Sequence, residues 1–214
     1  MNADPIAPFY RWFEYLAFGR SLERCRFHYL DATRQARRVL ILGEGDGRFL
    51  SELLSGNAHA RVDVIEASPR MLALARTRMR AENQPRVRFL QADARHQQFP
   101  QEAYDLIVTQ FFLDCFSPSD LTTLIVRLRL AMAPGASWLV SEFQQPSRQF
   151  ARWHAAAWLG VMYWFFQHST SLRVRCLPPY PELLAGAGLV LVRQHESHFG
   201  LMVSQLWVPR ASLR

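Results

Sequence analysis

The chain has 214 residues, half of them hydrophobic, with 25 basic and 18 acidic side chains and a formal net charge of +7. This is enough apolar material for one buried core, and the composition excludes a disordered, collagen-like or repeat-array protein. Every basic side chain is Arg and Lys is absent, an excess that permits an acidic substrate, nucleic acid or an anionic membrane surface as partner. The arginines run from Arg11 to Arg214, as a composition bias would spread them, rather than gathering into one patch.

Cys25, Cys115 and Cys176 are the three cysteines, and none forms a C-x-x-C pair. An odd count at wide spacing argues against a disulfide framework and a zinc site, and favours a reducing, cytoplasmic compartment. The first residues lack the layout of a signal peptide. No apolar run reaches the ~18 residues of a membrane span.

Helical spacing of Phe9, Trp12, Phe13, Leu16 and Ala17 predicts a leading helix over 8–32. Val39–Leu42 reads as a buried strand, and a helix follows over 46–54. Val62–Ile65 is the second strand. Ser68 caps a helix that has Pro69 in its first turn and runs to about Ala81. Val87–Leu90 and Tyr104–Thr109 are the third and fourth strands. A helix over 119–132 follows, then a Pro134-Gly135 turn and a fifth strand around 138–140.

Residues 144–177 break the rhythm. This stretch holds Trp153, Trp158, Tyr163, Trp164, Phe165 and Phe166, and reads as a helical insertion. It suits a lid over an apolar pocket, a membrane-surface contact through 153–166, or extra core and a dimer face. A helix over 181–187 and two strands, 189–193 and 201–208, close the chain. Their short link predicts an antiparallel hairpin.

Alternating strands and helices call for a parallel sheet covered on both faces. The expectation is an α/β fold: a three-layer α/β/α Rossmann-like sandwich whose seven-stranded, mostly parallel sheet has an antiparallel last strand. One domain over 1–214 is expected, with a core at 38–142 and a C-terminal helix and hairpin at 178–208. Right-handed crossovers put the strand C-termini on one edge, where ligands bind.

The segment Gly43-Glu44-Gly45-Asp46-Gly47 joins the first strand to its helix. Its glycines let the backbone turn tightly and approach a ligand. The dinucleotide fingerprint is G-x-G-x-x-G, whereas the spacing here is G-x-G-x-G, which disfavours a dehydrogenase. Glu66 ends the second strand, where an acid can accept from both hydroxyls of a ribose. Asp93 ends the third, where an acid can accept from an adenine amino group.

In this ordered set the chain resembles the class I S-adenosylmethionine-dependent methyltransferases, over about residues 38–142. The resemblance implies S-adenosyl-L-methionine as cofactor. It places Gly43, Glu44, Gly45 and Gly47 at the methionine arm, Glu66 and Ala67 at the ribose, and Asp93 and Ala94 at the adenine, with Gln110 bordering the set. The family usually has an acid two residues before the first glycine. Ile41 stands there instead, and Glu44 or Asp46 is the candidate to supply the charge.

Gln110 and Asp114 follow the fourth strand and are the candidate catalytic residues, Asp114 as a general base. Gln110-Phe111-Phe112-Leu113 lacks the Asx-Pro-Pro-aromatic motif of enzymes that methylate amino groups of bases. Asp105 reads as structural. His195 and His198 lie three residues apart, on opposite faces of a strand, so no metal site is expected. Met162–Phe166, before Pro178-Pro179, is similar to ubiquinone and menaquinone methyltransferases. The expected acceptor is therefore a small apolar or aromatic molecule. An RNA methyltransferase using the arginines and a non-catalytic cofactor-binding module are the alternatives.

Overall fold

The computed structural model describes residues 20–144 and 177–213. The parts of the expected leading helix before residue 20 and of the expected insertion over 145–176 lie outside the described residues. So do the membrane-contact stretch 153–166 and Cys176.

Helix α1 spans Ser21–Phe27 and ends there; a 3-10 turn over Leu30–Thr33 follows, so the described part of the expected 8–32 helix is not continuous. The break has a tertiary cause. The Cys25 carbonyl accepts hydrogen bonds from the Ser141 and Ser204 hydroxyls as well as from the His28 N–H, and this ties α1 to the sheet.

Strand β1 (Arg38–Leu42) leads into α2 (Arg48–Gly56), and β2 (Arg61–Glu66) into α3 (Pro69–Arg78). Helix α2 starts two residues later than expected because Gly47 takes a left-handed φ of 85° at its N-cap. The Ser68 hydroxyl caps α3 by accepting from the Met71 N–H at 3.2 Å. That helix stops at Arg78 because Met79 is extended, and a 3-10 stretch over Ala81–Arg86, absent from the expectation, leads into β3 (Val87–Gln91).

Strand β4 is Tyr104–Gln110 and α4 is Pro118–Ala131, the latter capped by the Ser117 hydroxyl. Strand β5 runs through Met132–Phe143. It takes the expected Pro134-Gly135 turn into itself: Tyr104 pairs with Met132 but Leu106 with Ser137, so the residues between bulge out, with Gly135 at φ 76°. Helix α5 (Tyr180–Gly186) precedes the hairpin of β6 (Leu189–Ser197) and β7 (Met202–Pro209).

The sheet has seven strands in the order β3-β2-β1-β4-β5-β7-β6. All pairs among the first five strands are parallel, and β7 runs antiparallel to both β5 and β6. Alternation along the strands divides the core between two faces. Val39, Ile41, Leu106 and Val108 pack with Phe49 and Leu53 of α2 on one side. Leu40, Leu42 and Ile107 pack with Leu121, Leu124 and Leu128 of α4 on the other. Burying each such leucine contributes roughly 2 kcal/mol. The result is the expected three-layer α/β/α sandwich.

Candidate cofactor and acceptor site

The C-termini of β1 to β5 share one edge of the sheet, and the candidate residues gather there. The Gly43 N–H continues the β1–β2 ladder by donating to the Ile65 carbonyl at 3.0 Å. The chain then turns through Gly43, Gly45 and Gly47, all left-handed, with φ of 69°, 70° and 85°. Side chains are excluded at two of them for a further reason. A Cβ on Gly47 would lie 2.6 Å from Ala75 Cα, and one on Gly43 2.5 Å from the Phe112 ring.

Glu44 turns inward from this loop. Its Oε1 accepts the Leu50 N–H of α2 at 2.8 Å. Its Oε2 is buried and has no hydrogen-bond partner among the described residues. Burial pushes its carboxyl up to about 8. Asp46 is spoken for: its carboxylate holds Arg48 at 2.9 Å and Arg78 at 3.1 Å. Ile41, 2% exposed, packs in the core.

Glu66 Oε1 accepts the Ser68 N–H at 2.9 Å, and the Gly45 and Ala67 N–H groups face its carboxylate closely enough to favour its charge. Burial raises its pKa, and these N–H groups oppose the rise. Glu66 thus already organises the glycine loop. Asp93 is engaged differently. Arg95 grips both its oxygens, with Nη2 2.6 Å from Oδ2, and this holds the carboxyl down at about 2. Beside it, the Ala94 carbonyl accepts from Arg127 Nη2 at 2.8 Å.

On the acceptor side, the Gln110 amide donates to the Arg26 carbonyl of α1 at 2.9 Å. That contact occupies its amide N–H in tying α1 to β4. Asp114 lies half-buried in the short 3-10 turn after β4, and desolvation there raises its carboxyl to about 6. The Cys115 thiol donates to it at 3.5 Å. Asp105 accepts from the Arg37 and Arg38 N–H groups at 2.8 and 3.1 Å, far from this edge along β4.

One residue of the site escaped the sequence reading. Glu142, near the end of β5, is fully buried, and its Oε1 accepts the N–H groups of Phe112 and Leu113. Burial first, and Asp114 second, raise its pKa well above the carboxylate range. The rule that singled out Glu66 and Asp93, an acid at a strand end, applies to Glu142 as well.

A glycine turn open to close approach by a ligand, an inward acid with an oxygen unpartnered among the described residues, and acids at the end of β2 and just beyond β3 fit the chemistry of S-adenosylmethionine. Gly43–Gly47 would hold the methionine arm, Glu66 the ribose and the Asp93 region the adenine. The fold is a Rossmann-like α/β/α sandwich with these candidate residues on its ligand-binding edge.

Comparison with known proteins points the same way. Residues 39–135 match the profile of a family described as a methyltransferase domain. The demethylmenaquinone methyltransferase of Thermus thermophilus is 33% identical over 134 residues, covering 62% of this chain and 60% of that protein. Polyamine aminopropyltransferase 2 of Streptomyces coelicolor is 40% identical over 81 residues, which cover 34% of this chain and only 15% of that protein. Among solved structures, the S-adenosylmethionine-dependent methyltransferase SibL superposes with a TM-score of 0.71 at 22% identity, covering 94% of this chain and 57% of that one. The chain therefore spans about 60% of the length of the first of these relatives. Over the matched residues the chain is similar to methyltransferases.

Proposed function

We propose that this protein transfers the methyl group of S-adenosylmethionine to a small, apolar or aromatic acceptor. The observation that carries the reading is the placement of Gly43, Gly45, Gly47, Glu66 and Asp93 on one sheet edge, in the order and spacing a nucleoside sulfonium needs. When bound, the cofactor supplies an electrophilic methyl on sulfur. The chain's own work is then to orient the acceptor and exclude water.

Phe111 and Phe112 offer apolar surface beside the glycine loop, and Asp114 offers a carboxylate for the acceptor's proton. We place Gln110 as a tie between β4 and α1 that shapes this edge. A relative named for demethylmenaquinone supports an aromatic acceptor. The aminopropyltransferase match supports assigning acceptor choice to the parts outside the shared cofactor unit.

The arginines weigh against RNA. Arg86 holds the Leu54 and Asn57 carbonyls, Arg127 those of Ala94 and Gln97, and Arg193 the Asp31 carboxylate. Many guanidinium groups thus serve the fold. No helix among the described residues is long and apolar enough to cross a membrane. Cys25 and Cys115 are free thiols, which accords with the reducing, cytoplasmic compartment we assign.

The test is transfer of radiolabelled methyl from S-adenosylmethionine to a panel of phenols, quinols and thiols, with total RNA as a separate arm. Label in a phenol or quinol is expected. Label only in RNA would replace the small-molecule reading. Tight cofactor binding without label in any arm would favour a non-catalytic module.

A further inference from the structure

The usual acid of the methionine arm is missing, and its place is closed. Ile41 belongs to the apolar core with Val39, Val64 and Leu50, so its place carries no charge. Two acids remain in the loop. Asp46 is consumed by Arg48 and Arg78, and Arg78 Nε also holds the Asp46 carbonyl at 2.9 Å. Glu44 is half used: Leu50 occupies Oε1, while Oε2 is buried and unpartnered among the described residues. A buried carboxyl oxygen left without a partner is costly. Such an atom beside a glycine turn is accounted for if a ligand brings the donor.

We propose that Glu44 replaces the absent acid as the counter-ion of the α-ammonium group on the cofactor's methionine arm. This rests on the cofactor reading above. The charged groups facing Glu44 are Arg26 of α1, Asp46 of its own loop and Glu66 of β2. Asp46 and Glu66 disfavour its ionised form and Arg26 favours it, but burial outweighs them all and leaves the carboxyl protonated near neutral pH. An ammonium group delivered to Oε2 reverses the balance, because an opposite charge at contact stabilises the carboxylate. The carboxyl O–H then ionises, its proton passes to the buffer, and the ammonium hydrogen-bonds the freed oxygen. Cofactor binding is thereby coupled to the release of about one proton at pH 7, and the coupling fades above pH 9, where Glu44 is already ionised.

Calorimetric titration at pH 7 in phosphate and in Tris counts that proton, since the two buffers differ in ionisation enthalpy. S-adenosylhomocysteine is one probe. The other is 5′-methylthioadenosine, which keeps the nucleoside and sulfur but lacks the amino acid. In the native chain the first is expected to release about one proton and the second none. Glu44→Gln keeps an oxygen for the Leu50 N–H. It is expected to abolish the release and to weaken S-adenosylhomocysteine by about tenfold, the scale of a charge-assisted hydrogen bond. Equal proton release by the two probes, or by native and variant chains, overturns the proposal while leaving the cofactor reading intact. Failure of S-adenosylhomocysteine to bind the native chain overturns both. Should Glu44→Gln not fold, the two probes on the native chain still decide.

Discussion

Glu142 Oε1 accepts the Leu113 N–H at 2.7 Å, joining the end of β5 to the turn that follows β4. The same oxygen takes the Phe112 N–H at 2.9 Å. Just before these residues Phe111 sits at φ 52°, a left-handed conformation uncommon for a bulky side chain. A buried carboxylate thus fixes the loop that borders both the glycine turn and the acceptor side, and Asp114 stands next to it.

Burial of these acids sets the pH dependence of stability. Glu142, Glu44 and Glu66 are all raised, and Asp114 is raised to about 6. Between the ordinary carboxylate pKa of about 4 and these raised values, the native state binds more protons than the unfolded chain. Stability therefore falls as pH rises through that window. Asp93 and Asp31 are lowered and act oppositely at more acid pH, and one lowered imidazole, that of His28, opposes the four raised acids within the window. The urea midpoint is expected to be lower at pH 8 than at pH 5. Glu142→Gln should narrow the difference, since an amide oxygen still serves the loop N–H groups. An unchanged difference would contradict this assignment.

Gly45 and Gly47 should respond differently to Ala. At Gly45 a Cβ meets open space, so Gly45→Ala costs only the left-handed backbone, about 1–2 kcal/mol. At Gly47 it also meets the Ala75 backbone at 2.6 Å, so Gly47→Ala must push α3 away from the loop and costs more. Urea unfolding of the two variants is expected to rank Gly47→Ala as the less stable, and an equal loss would contradict the close approach.

Arg95 competes for Asp93. The carboxylate cannot serve an adenine amino group fully while Arg95 grips both oxygens. The pair is partly exposed, so freeing Asp93 is worth at most about 1 kcal/mol. Arg95→Ala should tighten S-adenosylhomocysteine by up to about fivefold, and Asp93→Ala should weaken it. Tighter binding in both variants would remove Asp93 from the adenine site.

Arg127 reaches from α4 to the Gln97 and Ala94 carbonyls at 2.9 and 2.8 Å, bracing the loop after β3. Arg127→Met keeps the apolar stem and loses both bonds. A stability loss of about 1–3 kcal/mol is expected, together with weaker S-adenosylhomocysteine binding. Loss of stability alone would confine Arg127 to the fold.

Much of this molecule was legible in the sequence because its signals are local. Val39–Leu42, Val62–Ile65 and the Ser68-Pro69 cap announce themselves within a few residues, and so does the glycine turn. The order of Glu66 and Asp93 after their strands needed only a count along the chain. Contacts made by distant residues left no such trace. Arg78 claims Asp46 across 32 positions, the Gln110 amide finds the Arg26 carbonyl across 84, and α1 breaks where Ser141 and Ser204 hold Cys25. Asp93 and Arg95 are near neighbours, yet their pairing depends on how the chain bends after β3. Glu142 is readable as a strand-end acid, but the apolar run that marks its strand, Trp138–Val140, stops short of it.

The central claim is a working S-adenosylmethionine site, and a thermal-shift titration tests it most directly. S-adenosylmethionine and S-adenosylhomocysteine are titrated beside NADH on the native chain, Glu66→Ala and Asp93→Ala. A ligand of the native state raises the melting temperature with its saturation. A rise with both sulfur compounds but not with NADH, blunted in the two variants, is the predicted result. No rise at millimolar S-adenosylmethionine or S-adenosylhomocysteine, in a chain that melts cooperatively, would contradict it.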